Sequence, residues 1–479
     1  MYISLTSQLT SRLLGAGRSK AAPVIEALGS SDAISNYSRR YIFKLEGTLM
    51  GTSIELRLGN VSLSYAKNHM GRDYGFLFQD SDLTRRKSEA IDYEYYEEHP
   101  EEQQELEEFE ETFVRTLSRA IPRLNLLGYT LERARTEYEY LIAEAEEISI
   151  FREVEESKKK YLTFEEFCDL VCRYPLADLD NEYVEYDTPD RDIASQGRLA
   201  ADLDEFARLP WCGGSDLYWS EASYFSEKAC ILSAESMLQV FALNEDNHKS
   251  EVTWEFGPIV HAGWVQRDEF RGGVLKKQKI LIATEGTSDA RILRRGIDVL
   301  RPDVADFFNF VDVEERHPFW GTGNLVKFAE GLLRIDVLNQ VLFVFDNDAE
   351  GVDAFYKLKK LNLPANMGAM LLPELEEFAE FKTVGPEGEN VSNINGRAVA
   401  IECYLDLRLK QYPAPQITWS NFKKDINAWH GALDYKESYS KHFYAQTDEV
   451  LLNGSYDVSK LSKLIDTLIH ESGLVAPVV

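Results

Sequence analysis

Short apolar runs in the C-terminal half of the chain alternate with segments in which apolar residues recur at helical spacing. The runs predict buried strands over 280–284, 307–311, 341–345 and 367–372. The segments between them predict helices over 288–300, over 324–333 and after Gly351. Alternation of this kind predicts βαβ units and a parallel sheet flanked by helices, which is an α/β fold.

The N-terminal half shows a different pattern. A small β-rich module is predicted from Met50, with strands over 53–58 and 61–65 joined by a turn at Gly59-Asn60. Helical periodicity follows over 113–127 and 130–150. Thr163, with Glu166 three residues later, predicts the start of another helix, and residues 221–243 have a helix-like composition.

These patterns predict five regions. We interpret residues 1–48 as a non-native or wrongly assigned extension before a start at Met50. The other four are an N-terminal domain with a hairpin, an acidic run and helices (49–150), a mostly helical middle region (151–270), the α/β domain (275–410) and a C-terminal helical extension (411–479).

Composition and charge narrow the functional classes. The chain has 479 residues, a net charge of -29 and an odd number of scattered cysteines, five in all. It has no apolar stretch of the roughly 18 residues that a membrane helix needs, so we expect a cytoplasmic protein with reduced thiols. Broad electrostatic coating of nucleic acid is disfavoured, because phosphate neutralisation needs clustered Lys and Arg. A polyanionic substrate would have to be bound by a local basic patch.

Acidic residues occur where predicted strands end. Glu285 follows the first strand of the α/β block, Asp312 the second, and Asp346 and Asp348 the third. Ligands of open parallel sheets bind at the carboxyl ends of the strands, and Mg²⁺ prefers hard oxygen ligands. The sequence therefore predicts a divalent-cation site there, although Asp312 could equally be a solvent-facing strand end.

The spacing Glu285-Gly286 with Asp289, followed by Asp346-x-Asp348-x-x-Gly351, resembles the Toprim domain of topoisomerases, bacterial primases and OLD-family nucleases. Segments 321–325 and 398–402 resemble the nuclease branch most. The resemblance implies a Toprim-like Rossmannoid sheet that binds one or two Mg²⁺ or Mn²⁺ ions. Its implied metal ligands are Glu285, Asp289, Asp346, Asp348 and Glu402. Glu285 and a lysine are the implied catalytic residues, the lysine being Lys436 or, as the second choice, Lys441. The alternative for Asp289 is an acid that complements a helix dipole.

The front of the chain also resembles a known domain. Residues 50–68, 76–79 and 126–131 are similar to the domain found N-terminal to HEPN or Toprim modules in bacterial conflict systems. No catalytic Arg-x(4–6)-His motif and no phosphate-binding P-loop occurs in the chain. The resemblance therefore implies a defence protein whose ATPase or sensor, if it uses one, is a separate partner. An oligomer is compatible with the sequence.

The resulting hypothesis is a magnesium-dependent endonuclease that hydrolyses phosphodiester bonds in DNA or structured RNA as an anti-phage effector. The alternative is a non-catalytic nucleic-acid-binding or partner-binding subunit of a defence complex. For either function we expect a basic rim around the acidic site. Its predicted members are Lys276, Lys277, Lys279, Arg291, Arg294 and Arg295. The alternative for these side chains is that they only solvate a helix.

Overall fold

The structure is a computed structural model. The residues that it describes are 52–88, 91–100, 103–151, 160–185, 188–210, 218–311, 321–335, 337–423 and 428–475. The predicted extension, residues 1–48, and the candidate Asp312 lie outside these ranges.

The N-terminal half is built on an antiparallel five-stranded sheet with the order β2-β1-β5-β4-β3. Its strands are β1 (Ser53–Leu58), β2 (Val61–Lys67), β3 (Leu83–Arg85), β4 (Glu111–Thr116) and β5 (Glu251–Glu255). Ile54, Leu56 and Leu58 alternate with more exposed residues and enter the core. The predicted hairpin is confirmed, and Gly59 at its turn has a φ of 55°, which favours glycine.

Two N-terminal predictions are wrong. Residues 113–116 belong to β4 rather than to a helix, because Phe113 is buried opposite Trp254 of β5. The boundary at residue 150 does not separate two units, since β5 pairs with both β1 and β4 at the centre of the sheet. A single hydrophobic core accordingly extends from Ile54 to Phe270.

Helices cover this sheet. They are α1 (Tyr93–Glu98), α2 (Gln103–Phe109), α3 (Leu117–Leu126), α4 (Leu131–Phe151), α5 (Phe164–Cys172), α6 (Arg191–Gln196), α7 (Leu203–Phe206), α8 (Glu221–Ala229), α9 (Ala234–Phe241) and α10 (Gly257–His261). The cap predicted at Thr163 is confirmed by reciprocal hydrogen bonds with Glu166. The segment 221–243, whose composition is helix-like, forms the two helices α8 and α9.

A four-stranded parallel sheet with the order β10-β8-β6-β7 forms the second half, as the alternation predicted. This part contains β6 (Ile280–Thr284), α11 (Thr287–Leu300), β7 (Phe308–Phe310), α12 (Thr322–Arg334), β8 (Val341–Phe345), β9 (Asn347–Asp348), α13 (Ala349–Lys359) and β10 (Met367–Leu371). The mixed α/β class is therefore confirmed.

The C-terminal part is not purely helical, contrary to the prediction. It consists of β11 (Phe381–Gly385), β12 (Gly388–Ser392), β13 (Ala398–Val399), β14 (Ile417–Lys423), β15 (Ala428–Leu433), α14 (Lys436–Tyr444), α15 (Asp448–Leu452) and α16 (Ser459–Gly473). Strands β12, β11, β14 and β15 form one sheet, and β13 pairs with β9. Helix α16 packs against α11 so closely that a Cβ on Gly296 would lie 2.7 Å from Ile465. The region therefore shares a core with the parallel sheet.

A buried polar network joins the two halves. Arg123 of α3 is fully buried and makes two hydrogen bonds with Asp306, of 2.6 and 2.9 Å. It also donates to the carbonyl oxygens of Phe76 and Phe78, each at 2.9 Å. Burial alone would raise the pKa of Asp306, but the hydrogen bonds and charge of Arg123 lower it.

Every described helix is too short or too polar to cross a membrane.

Candidate metal centre

Glu285 and Asp346 lie side by side at the carboxyl edge of the parallel sheet. Strands β6 and β8 are hydrogen-bonded neighbours, with Thr284 opposite Val344. Because the two strands run in the same direction, the residues that follow them meet at one edge. The backbone N–H of Asp346 donates to Oε1 of Glu285 at 3.1 Å.

Asp348 caps the helix that leaves this edge. Its Oδ1 accepts hydrogen bonds from the backbone N–H groups of Glu350 (2.9 Å) and Gly351 (2.7 Å) at the start of α13. A Cβ on Gly351 would lie 2.1 Å from the backbone oxygen of Asp346. The glycine of the motif is therefore required sterically, since only a residue without a side chain lets the turn close against the first aspartate.

Asp289 and Glu402 reach the same place from two other segments. Asp289 lies in the first turn of α11, where its Oδ2 accepts from the N–H of Gly286 at 3.0 Å. Glu402, which is 5% exposed, belongs to the turn after β13 and accepts from Ser288 Oγ at 3.0 Å. Pairing of β13 with β9 brings the Glu402 segment beside Asp348. Asp289 therefore both accepts a hydrogen bond at the start of α11 and lies near the other acids.

The acidic side chains perturb one another electrostatically. Burial, followed by the charges of Asp348 and Asp289, raises the pKa of Glu285 to about 8. Burial and the charge of Glu402 raise the pKa of Asp289 to about 7. The pKa of Asp346 is raised well above its usual value by burial and then by its carboxylate neighbours. Burial also raises the pKa of Asp348. We call Glu285, Asp289, Asp346, Asp348 and Glu402 the acidic cluster, because their charges lie close enough to act on one another.

The donor chemistry of the acidic cluster suits a hard divalent cation, because carboxylate oxygens are the ligands that Mg²⁺ prefers. Glu285, Asp289, Asp348 and Glu402 each use one named oxygen in a protein hydrogen bond. Within the described ranges, no three His, Cys, Asp or Glu side chains have the arrangement of a metal site. The described side chains therefore do not form a complete ligand set as they stand.

Lys436 is a candidate lysine whose charge acts on the acidic cluster. It is the exposed first residue of α14, and its charge lowers the pKa of Asp289. Lys441 is also exposed, but its ammonium lies 4.0 Å from Glu437 of the same helix. Lys436 therefore acts on an acid of the cluster, whereas Lys441 lies beside a glutamate of its own helix.

The predicted basic rim is only partly assembled around the acidic cluster. Arg291 is exposed on α11 near Tyr444, whose pKa its charge lowers although burial, the larger effect, raises that pKa to about 12. Arg294 lies over the ring of Phe310 at 5.8 Å. Arg295 donates to the backbone oxygen of Gln446 at 2.6 Å.

The lysines predicted for the rim lie elsewhere. Lys276, Lys277 and Lys279 precede β6, whereas Glu285 follows it. A strand of this length spans roughly 17 Å. These three lysines thus lie at the opposite end of β6 from Glu285, and their part in the rim stays a prediction.

His430 lies beside the acidic cluster although the sequence did not indicate it. Its Nδ1 is 3.8 Å from Oδ2 of Asp348, and the charge of His430 lowers the pKa of Asp348. It belongs to β15, far from the motif along the chain, and it has no metal-ligand spacing. Only the pairing of β15 within the C-terminal sheet places it there.

Comparison with known proteins finds one similarity, in the N-terminal half. The family model described as HEPN/Toprim N-terminal domain 1 matches residues 50–278. No curated protein and no solved structure matches the chain. The matched range includes β5 together with β1 to β4, in agreement with the single core that unites them. Residues 50–278 are therefore similar to the N-terminal domain that this family model describes.

Proposed function

We propose that this protein is a metal-dependent nuclease of the Toprim type, related to the OLD-like branch, that hydrolyses phosphodiester bonds in DNA or structured RNA. The observation that carries the proposal is the convergence of Glu285, Asp289, Asp346, Asp348 and Glu402 at one edge of a parallel sheet. The HEPN/Toprim-associated domain supports a nuclease-associated, defence-type context.

Electrostatics supports a cation at this edge. Several carboxylates held close together repel one another, and each remains buried or half-buried. Such a group must either keep protons at neutral pH or bind a cation. A divalent ion relieves the repulsion without protonating the oxygens that would ligate it. The raised pKa values thus describe a site that keeps protons when no cation replaces them.

Each residue has a distinct role in the proposed reaction. Glu285, Asp346, Asp348, Asp289 and Glu402 would hold one or two Mg²⁺ or Mn²⁺ ions, which when bound supply electrostatic stabilisation of the attacking and leaving oxygens. Lys436 would offset charge that develops on the scissile phosphate. Glu285 would also orient the water that attacks phosphorus.

The tests of this function are a cleavage assay and a matched pair of variants. Purified protein is incubated with plasmid, single-stranded DNA, total RNA and transfer RNA, with Mg²⁺ or Mn²⁺ and with a chelator. Asp346→Asn removes a carboxylate from the acidic cluster without changing its shape. Asp353→Asn removes one from the same neighbourhood, the exposed face of α13, where Asp353 pairs with Lys357 at 2.5 Å.

We expect metal-dependent cleavage of at least one polymer, a loss of about a hundredfold or more in Asp346→Asn, and wild-type cleavage in Asp353→Asn. Glu285→Ala should behave like Asp346→Asn. Metal-dependent cleavage that survives both substitutions in the acidic cluster would refute the assignment of the site. We also propose that the protein acts in the cytoplasm and that any ATPase or sensor it uses is a separate partner protein. Co-purification from the native host tests for that partner.

A second candidate function is a non-catalytic binding subunit. One observation favours it: the described His, Cys, Asp and Glu side chains include no group arranged as a metal site. A binding subunit would retain nucleic-acid or partner binding in Asp346→Asn and would cleave no polymer with either metal. The nuclease loses cleavage in that variant but keeps substrate binding, so binding and cleavage measured on the same samples separate the two functions.

A further inference from the structure

The HEPN/Toprim-associated domain contains a cleft whose lining residues are all different from those of the acidic cluster. It has a volume of about 440 Å³ and is lined by residues of α4, by Arg72 and Tyr129 and by Ser233 before α9. We propose that this cleft binds a nucleoside phosphate. The proposal concerns a second site and does not depend on the nuclease function.

Arg133 supplies an uncommitted cation at the cleft. Its guanidinium lies 4.5 Å from the centre of the Tyr129 ring. The structure gives that guanidinium no ion pair and no hydrogen bond with any residue in the described part of the chain. Arg72 lies over the same ring at 5.9 Å and donates to the Tyr129 hydroxyl at 2.9 Å. Two guanidinium groups over one ring form a surface that attracts phosphate oxygens.

The carboxylates of the cleft are already committed to other groups. Glu137 accepts hydrogen bonds from the Ser233 N–H at 2.5 Å, from the Ser233 hydroxyl at 2.8 Å and from the Ser236 hydroxyl at 2.5 Å. Glu235 is fully buried and pairs with Arg72 at 2.5 Å. The two glutamates equal the two arginines in number, but no described carboxylate makes an ion pair with Arg133, so its guanidinium can contact a bound anion directly.

The aromatic residues give the cleft a place for a base. Tyr140 is 66% exposed on α4, and it lines the cleft. Tyr129 is held in place, since its ring stacks on Phe76 at 6.0 Å and its backbone oxygen accepts from Gln239 at 2.5 Å. A flat heterocycle could stack on Tyr140 while its phosphates contact the arginines.

Size and charge favour a mononucleotide over a nucleic-acid strand. A volume of about 440 Å³ lies within the range of small-molecule pockets. The flanking surface of α4 carries the exposed glutamates Glu132, Glu139 and Glu144. These would repel a long polyanion that passed along the helix, whereas a compact ligand can contact Arg72 and Arg133 without reaching these three glutamates.

The test is calorimetric titration of the full chain with ATP, GTP, tripolyphosphate and a short single-stranded oligonucleotide. A chelator is present throughout, so that the acidic cluster cannot contribute a metal-bridged contact. The variants are Arg133→Ala and Tyr140→Ala, both on exposed side chains of α4. The control is Arg135→Ala on the same helix, where Arg135 pairs with Glu165 at 2.5 Å outside the cleft.

We expect at least one nucleotide to bind more tightly than tripolyphosphate and than the oligonucleotide. Its affinity should fall by about tenfold or more in Arg133→Ala and in Tyr140→Ala, with no change in Arg135→Ala. The proposal is overturned if neither nucleotide binds, if the oligonucleotide binds best, or if both cleft variants bind as the wild type does. Thermal unfolding of each variant, matched to the wild type, shows that a loss of binding is not a loss of fold.

Discussion

Neutralising one acid of the cluster should make the metal-free protein less sensitive to rising pH. The perturbation is Asp346→Asn, because the pKa of Asp346 is raised well above its usual value by burial and then by Asp289 and Glu285. No described hydrogen bond of the chain uses the Asp346 side chain, so the amide removes the titratable proton and little else.

The sign follows from proton binding. A carboxyl group whose folded-state pKa is raised keeps its proton in the folded protein at a pH where the unfolded chain has lost it. Its contribution to stability is therefore complete below pH 4 and is lost as the pH rises through the folded-state pKa. Each retained proton lowers the free energy of unfolding by about 1.4 kcal/mol per pH unit in that window. The pKa of Glu285, about 8, marks the alkaline side of the window.

The assay is thermal unfolding in chelator at several pH values from 5 to 8 for the wild type, Asp346→Asn and the control Asp353→Asn. Relative to their values at pH 5, the apparent Tm of the wild type should fall below that of Asp346→Asn by on the order of 5 °C at pH 8. Added Mg²⁺ should reduce this difference by replacing the retained protons. Parallel pH profiles for the wild type and Asp346→Asn in chelator would refute the mutual repulsion inferred for the acidic cluster.

Three further substitutions test other parts of the structure. Gly351→Ala should abolish cleavage, because its Cβ would lie 2.1 Å from a backbone oxygen. The control Gly331→Ala has nothing within 4 Å of its Cβ, so it should keep cleavage and raise the Tm slightly. Equal effects of the two substitutions would contradict this prediction. Arg123→Ala should cost about 3–5 kcal/mol by leaving the buried Asp306 carboxylate unpaired, and an unchanged Tm would show that the network contributes little. Thr163→Ala should cost about 1 kcal/mol and Thr163→Ser much less, a difference that denaturant unfolding can measure.

The parts of the fold that the sequence predicted are those in which local pattern and tertiary packing agree. The run from Ile280 to Thr284 is buried on both faces of a parallel sheet, so its continuous apolar composition predicts the strand without knowledge of its neighbours. The motif of Asp346, Asp348 and Gly351 could also be predicted from local sequence, because its contacts lie within one turn.

The wrong predictions concern residues whose structure is decided by distant partners. Phe113 and Val114 fit a helical pattern, but pairing with Trp254 and Thr253 of β5 makes them a strand. His430 approaches Asp348 only because the C-terminal hairpin packs beside the parallel sheet. Contacts between residues so far apart in the chain leave no periodicity in a single sequence, so pattern analysis could not find them.

The position of a bound metal ion tests the central claim most directly. A crystal of the protein soaked with Mn²⁺ can be measured for anomalous scattering, and Asp346→Asn crystals treated in the same way provide the control. The account predicts one or two peaks within about 2.0–2.3 Å of oxygens from Glu285, Asp346 and Asp348, and weaker or absent peaks in the variant. Ordered crystals with no peak at the acidic cluster, or with Mn²⁺ bound only elsewhere, would contradict it.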